Sequence, residues 1–75
     1  MRKAFVLINS ELGHEADLQS RLKKIEGVVG VYVVYGVYDL MVEVAAESEL
    51  KLKDVVFSEI RTLEHVKSTL TLTTA

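Results

Sequence analysis

Hydrophobic and polar residues are arranged along the chain in a pattern that predicts four β-strands and two helices. Strands are expected where β-branched and aromatic residues dominate, in segments 3–8, 28–35, 38–46 and 66–74. Helices are expected in segments 14–26 and 48–63, where apolar residues recur at helical spacing. The recurring residues are Leu18, Leu22 and Ile25 in the first segment and Leu52, Val56, Ile60 and Leu63 in the second. The predicted element order is therefore β-α-β-β-α-β.

The same pattern occurs twice when the chain is compared with itself at an offset of 38 residues. Ser10-Glu11-Leu12 aligns with Ser48-Glu49-Leu50, and the two helical stripes coincide. Gly27, at the position of a left-handed helix cap, aligns with His65, for which we expect a capping or exposed role. A duplicated unit of this kind predicts an α+β, ferredoxin-like fold, in which two helices cover one face of a four-stranded antiparallel sheet.

Apolar residues on the predicted strands are too numerous for one face of the sheet. Simple alternation assigns ten of them to the helix-covered face: Ala4, Val6, Ile8, Tyr32, Val34, Leu40, Val42, Val44, Leu70 and Leu72. The open face would then carry Phe5, Leu7, Val31, Val33, Tyr35 and Met41, with Gly30 marking a bulge or a close backbone approach. Because monomers rarely expose so large an apolar patch, we expect a homodimer that packs sheet on sheet through these six residues. The alternative is a strand face exposed to solvent.

Composition narrows the function classes. The 75 residues are expected to form one domain, 1–75, and 49% of them are hydrophobic. The chain has no cysteine, and His14 and His65 lack the spacing of metal ligands, so neither a metal site nor a cofactor is predicted. A net charge of −2 without a basic cluster argues against direct nucleic-acid binding. Apolar runs also fall short of the roughly 20 residues of a membrane span.

The most informative candidate chemistry lies in the hairpin between the second and third predicted strands. A tight turn centred on Gly36 and Val37 is followed by Tyr38 and by Asp39, the only ionisable group of the turn. In a structural interpretation, Asp39 accepts hydrogen bonds from turn amides. In a functional one, it binds the ammonium group of a small ligand whose carboxylate is held by amides near Gly36.

The last predicted strand alternates threonine with leucine. Thr69, Thr71 and Thr73 fall on one face, which is explained either by ordinary β-propensity or by hydroxyl groups that line a polar pocket at an interface.

Two segments resemble a known family. Gly36-Val37-Tyr38-Asp39-Leu40 with its flanking strands, and the later Ile60–Thr71 segment, are similar to the effector-binding domain of the leucine-responsive/asparagine-regulator (Lrp/AsnC) transcription factors, also called the regulation-of-amino-acid-metabolism domain. The resemblance implies dimers that stack sheet on sheet and assemble into larger rings, often octamers, with amino acids bound between dimers. By position, the ligand contacts would be Gly36, Val37, Tyr38 and Asp39, with Thr69 and Thr71 as weaker candidates.

The chain departs from the family's transcription factors because no helix-turn-helix precedes the first strand. We therefore expect a stand-alone, cytoplasmic, non-catalytic module that senses an amino acid and acts on a full-length family transcription factor or a metabolic enzyme. One alternative is a dimeric α+β barrel enzyme, an isomerase or cofactor-free monooxygenase, which needs an acid or base between helices and sheet where this chain places aliphatic residues. Another is a purely structural partner domain without a small ligand.

Overall fold

The computed structural model describes residues 1–73, and its element order is the predicted one. The elements are β1 (Arg2–Ser10), α1 (Glu15–Lys23), β2 (Val28–Val33), β3 (Leu40–Ala46), α2 (Glu49–Asp54), a π-helical continuation of α2 (Val55–Ile60) and β4 (Val66–Thr73). The strands form one antiparallel sheet in the order β2-β3-β1-β4. The ferredoxin-like architecture is therefore confirmed, and residue 74 of the fourth predicted strand lies outside the described residues.

The core lies between the sheet and the helices. It is built from aliphatic side chains of the two central strands and both helical segments: Ala4, Val6, Ile8, Leu18, Leu22, Leu40, Val42, Val44, Ala46, Leu52, Val55, Val56 and Ile60. All the predicted inward residues of the two central strands are among them. The fold thus buries the alternating residues of β1 and β3 against the helical stripes that the sequence predicts.

The second helix changes its winding halfway along. Ser48 caps its N-terminus as predicted, because its Oγ accepts a hydrogen bond from Lys51 N at 3.1 Å. From Val55 the helix is wider, and Arg61 N donates to Val56 O at 3.0 Å, five residues back. The wider turn places Val55, Val56 and Ile60 against the sheet together, and all three are buried.

The face assignment of β2 was wrong, and a bulge is the reason. Val28 lies opposite Val44 whereas Gly30 lies opposite Glu43, so Val29 is an extra residue in β2. The predicted irregularity at Gly30 is thereby confirmed, but its consequence is that the alternation reverses beyond it.

The reversal exchanges inward and outward residues along the rest of β2. Val31 and Val33 lie opposite Val42 and Leu40, on the helix-covered side, while Tyr32 lies opposite Met41 on the open face. Tyr35 lies beyond the end of β2 and is 97% exposed, so it is not part of the sheet.

The face assignment of β4 was wrong for the same reason. Val66 lies opposite Ser10 whereas Ser68 lies opposite the adjacent Asn9, which makes Lys67 an extra residue. Leu70 and Leu72 consequently lie opposite Leu7 and Phe5 on the open face, and the threonines lie on the covered side. The extra residues, Val29 and Lys67, are 38 positions apart, so the duplicated unit includes the bulge.

The open face carries six large apolar residues after this correction: Phe5, Leu7, Tyr32, Met41, Leu70 and Leu72. Tyr32, Met41, Leu7 and Leu70 are successive cross-strand partners and form one row across all four strands. Beside the row, Lys3 Nζ lies 3.4 Å from Glu43 Oε2. No helix in residues 1–73 is long and apolar enough to cross a membrane.

Candidate functional site

The candidate site lies at the end of the sheet where β1 ends and where β3 and β4 begin. Ile8 lies opposite Leu40 and Ser10 lies opposite Val66. This register brings the β1–α1 loop, the β2–β3 loop and the turn before β4 together at the same end of the sheet. The β2–β3 connection is longer than the predicted tight turn. It spans residues 34–39 and is closed by a hydrogen bond of 2.9 Å from Val34 N to Asp39 O.

Asp39 is held by the end of β1. Its backbone N donates to Ile8 O at 2.9 Å, and its Oδ2 accepts from Ser10 N at 3.1 Å and from Ser10 Oγ at 3.2 Å. The donors are therefore groups of Ser10 rather than the turn amides that the structural interpretation named. Because a serine hydroxyl and the amide of the same residue converge on one oxygen, the carboxylate is fixed in orientation.

The other oxygen of this carboxylate is open. Among residues 1–73, no group donates a hydrogen bond to Asp39 Oδ1, and no buried side-chain oxygen lacks a partner, so Oδ1 reaches solvent. A fixed carboxylate with one free oxygen can accept a hydrogen bond from a cationic donor such as an ammonium group.

Exposed apolar side chains lie in the two loops next to this carboxylate. Tyr35 is 97% exposed and Val37 is 80% exposed in the same loop, and Leu12 of the β1–α1 loop is 95% exposed. Gly36 has φ 137°, a backbone conformation that glycine adopts without strain. Tyr38 is half-buried next to Asp39. The four predicted contacts, residues 36–39, are thus together in one open loop.

Thr69 and Thr71 do not join that loop. They lie opposite Ile8 and Val6 on the helix-covered side of β4, half-buried. Since β1 lies between β3 and β4, Thr69 is about 10 Å from β3, the strand that Asp39 precedes. Their alternation on one face is as predicted, but that face is the one the helices cover.

Sequence reasoning missed Ser10 as the partner of Asp39, and it missed the neighbouring cluster of Glu11, His14 and His65. Ser10 is 7% exposed and is the only polar residue among the buried residues of the described chain. The next residue, Glu11, donates from its N to His65 O at 2.8 Å and contacts His65 Nδ1 through Oε1 at 2.9 Å. The ring of His65 stacks on His14 with centroids 3.6 Å apart. The available signal was a serine that continues the inward alternation of Ala4, Val6 and Ile8.

The left-handed backbone that the duplication predicts at His65 is confirmed, but the capping role was wrong, because the C-cap of the preceding helical segment is Arg61 and that of α1 is Lys24. The φ of His65 is 72°, and the φ of Gly27 at the equivalent position is 102°. The carbonyl oxygens of both residues accept a hydrogen bond from a backbone amide, His65 O from Glu11 N at 2.8 Å and Gly27 O from Ala45 N at 2.9 Å.

Other chemistry finds little support in the described residues. Within residues 1–73, no group of three or more His, Cys, Asp or Glu side chains is placed to hold a metal ion. The layer between helices and sheet is filled by aliphatic side chains, which cannot transfer protons. A surface cavity of about 610 Å³ lies at the opposite end of the sheet near Gly27, Ala46 and Ser48 and does not include Asp39.

Comparison with known proteins places the chain in a family. Residues 3–74 match the family model of the Lrp/AsnC ligand binding domain. No curated protein matches the chain. Among solved structures, TTHA0845 from Thermus thermophilus is 36% identical, with a TM-score of 0.93 over 100% of this chain and 94% of its own.

Two regulators share the fold at lower identity. E. coli AsnC is 23% identical with a TM-score of 0.89, and this chain covers half of it (97% of this chain, 50% of that chain). The transcriptional regulator NMB0573 of Neisseria meningitidis, solved as an L-methionine complex, is 12% identical with a TM-score of 0.84 over 99% of this chain and 49% of its own. Because the family model spans nearly all of the sequence, the chain belongs to the Lrp/AsnC ligand-binding domain family.

Proposed function

We propose that this protein is a non-catalytic amino-acid-sensing module in which Asp39 binds the ammonium group of the effector. The observation that carries the proposal is the Asp39 carboxylate, whose Oδ2 is held by Ser10 and whose Oδ1 is open to solvent. A charge-assisted hydrogen bond to Oδ1 suits a protonated amine. The family's description as a ligand-binding domain, and a neighbour of this fold that was solved with L-methionine, support an amino acid as the effector.

The site is incomplete in one chain, and a second subunit would close it. A zwitterion also needs donors for its carboxylate and apolar walls that exclude water. The loop amides around Gly36 supply the first, and the nearly bare side chains of Tyr35, Val37 and Leu12 are suited to packing on a neighbouring subunit. We accordingly propose that effectors bind between dimers, in rings as large as octamers.

The dimer itself is proposed to form through the open face of the sheet. Phe5, Leu7 and Met41 remain in this interface from the sequence-based set, and Tyr32, Leu70 and Leu72 replace Val31, Val33 and Tyr35 because of the two bulges. A second copy of the same face is the natural partner for an apolar surface of this shape. The assembled module would act in the cytoplasm on a full-length transcription factor of the family.

Calorimetric titration with each of the twenty amino acids at millimolar concentration tests the proposal. For an amino acid that releases heat, Asp39→Asn is the informative variant. The asparagine oxygen still accepts from Ser10, while an amide replaces the free oxygen and the charge is lost. Hydrogen bonds to charged groups contribute about 1.5–3 kcal/mol, so we expect roughly 10- to 150-fold weaker binding.

Asp17→Asn is the matched control. Asp17 lies on the outer surface of α1, where its Oδ2 is 3.1 Å from Arg21 Nε, and its replacement should leave the affinity unchanged. Absence of heat with all twenty amino acids would refute the sensing function. Equal affinity of Asp39→Asn and the unchanged protein would refute the role of Asp39.

A further inference from the structure

The backbone conformation of His65 is unusual for a residue with a side chain. Its φ of 72° is the only positive φ of a non-glycine residue in the described chain, and the duplicated position in the first half carries Gly27 at 102°. A histidine in the left-handed region costs free energy that a glycine would avoid. Such outliers persist where the surrounding contacts hold them, and they are common at functional sites.

Contacts of the imidazole ring account for the histidine. Since a carboxylate only accepts hydrogen bonds, the contact of 2.9 Å between His65 Nδ1 and Glu11 Oε1 requires that Nδ1 carries a hydrogen and donates it. One face of the ring stacks on His14 at 3.6 Å with an angle of 7° between the planes. The side chain of His65 is only 25% exposed.

Glu11 is the residue that these contacts immobilise. Its side chain accepts from His65, its N donates to His65 O at 2.8 Å, and its own O accepts from His14 N at 3.1 Å. Side chain, amide and carbonyl are therefore all bound to the histidine pair. The fixed residue directly follows Ser10, which supplies both donors to Asp39 Oδ2.

We infer that His65 is a positioning residue for the Asp39 site: its imidazole holds Glu11, and thereby Ser10, so that Ser10 occupies Asp39 Oδ2 and leaves Oδ1 free for the effector. The inference rests on the proposed function for the effector, but the geometry of Ser10 can be tested without any ligand. A glycine at position 65 would give the same backbone path without the ring. The histidine therefore adds contacts to Glu11 and His14 that the backbone path does not require.

Two substitutions at position 65 separate the ring from the backbone. His65→Gly relieves the strained φ and removes the donor to Glu11. His65→Asn also tolerates a positive φ, and its side-chain amide can replace Nδ1 as the donor. Both variants should fold and keep the backbone hydrogen bonds of Glu11, and only the first should release its side chain.

Amide hydrogen exchange, followed by NMR, is the first measurement. In His65→Gly, the Ser10 amide should exchange on the order of tenfold faster than in the unchanged protein, because Ser10 is no longer held opposite its acceptor on Asp39. Amides in the middle of β1 and β3 should keep their protection. His65→Asn should return the Ser10 amide to within about threefold of its original rate, by restoring the donor.

The inference is wrong if Ser10 exchanges equally in His65→Gly and in the unchanged protein, or if His65→Asn behaves like His65→Gly. If central amides of His65→Gly also lose protection, Glu11→Ala replaces it as the test: it removes the acceptor, retains His65, and must accelerate Ser10 alone.

The amino-acid panel described above supplies the second readout. An amino acid that binds the unchanged protein should bind His65→Gly about tenfold more weakly and His65→Asn with nearly normal affinity. Equal binding by all three proteins would overturn the positioning role. If the panel gives no heat with the unchanged protein, the proposed function fails, whereas the Ser10 amide still decides whether His65 positions Asp39.

Discussion

Replacing Leu70 by lysine should dissociate the proposed dimer without unfolding the subunit. Leu70 lies on the open face at the end of the apolar row, opposite Leu7, and is 43% exposed in one chain. Because it is already partly in water and lies on an edge strand, where lysine is a common residue, the isolated subunit should tolerate the change.

The magnitude follows from the exposed fractions. Fully burying a large apolar side chain contributes about 1.5–3 kcal/mol, so one that is nearly half exposed has about 1 kcal/mol left to gain. Tyr32 at 46%, Leu70 at 43% and Leu72 at 49% would thus give roughly 3 kcal/mol per subunit and about 6 per dimer. Association costs at least about 4 kcal/mol, which leaves a modest surplus to which the less exposed Phe5, Leu7 and Met41 add.

Leu70→Lys removes that surplus. By two-fold symmetry each dimer loses the contribution of two leucines, about 2 kcal/mol, and must also desolvate two ammonium groups at several kcal/mol each. The dissociation constant should therefore rise by at least about 100-fold. Because a modest surplus corresponds to a dissociation constant in the millimolar range, sedimentation velocity over a concentration series that reaches this range should show dimer formation for the unchanged protein and an 8.4 kDa monomer throughout for the variant.

Leu50→Lys is the control with the same change of charge. Leu50 is 80% exposed on α2, which lies on the helical side of the sheet, so its replacement should leave the dimer intact. A monomeric unchanged protein would refute the sheet-to-sheet dimer. Dimers formed equally well by Leu70→Lys would place the interface elsewhere.

Two further substitutions test the local physics of the fold. Ser10→Ala removes the hydroxyl donor to Asp39 and should lower the free energy of unfolding by about 1 kcal/mol. Urea denaturation measures this loss, and the dependence of the free energy on urea concentration should stay unchanged. If no free energy is lost, the Ser10 amide alone fixes the carboxylate. Gly27→Ala places a Cβ at φ 102° and 3.2 Å from Val55 Cγ2, so it should lower the free energy of unfolding by about 1–2 kcal/mol in the same assay. His65→Gly should lower it by less or should raise it. The opposite order would contradict the strain assigned to position 65.

Element order, the duplicated unit and the central core were predictable because they depend on patterns within single segments. Periodicity alone identifies most buried residues of the helices and of β1 and β3, whereas Ile25 and Leu63 of the predicted stripes lie beyond the helix ends and are only partly buried. Ser48 was recognisable as a cap since its hydroxyl acts within one helical turn.

The faces of β2 and β4 were not predictable from alternation, because one extra residue reverses every side chain beyond it. Val29 and Lys67 have no feature that marks them as bulged; only Gly30, the next residue, hinted at the first. Comparison of the two halves could locate one bulge from the other, but could not reveal either.

The candidate site was found only in part for a related reason. Gly36 to Asp39 are contiguous, and a turn followed by a lone carboxylate is visible in a sequence. Ser10, the hydrogen-bond partner of that carboxylate, is 29 positions away in the sequence. The contact between Glu11 and His65 next to it spans 54 positions. Contacts between loops at one end of a sheet depend on strand register, which the sequence pattern did not define beyond the bulges.

The two bulges also decide which surfaces are available for assembly. They direct leucines rather than threonines to the open face and Tyr32 into the row with Met41, so the apolar row spans all four strands. Asp39 lies at the end of the same sheet, away from that face, together with the exposed side chains of Tyr35, Val37 and Leu12. If the open faces pair and these exposed side chains pack on a second dimer, effector binding and ring assembly become linked equilibria. An effector that binds only the completed site must then strengthen dimer–dimer association by the same factor by which association strengthens its own binding.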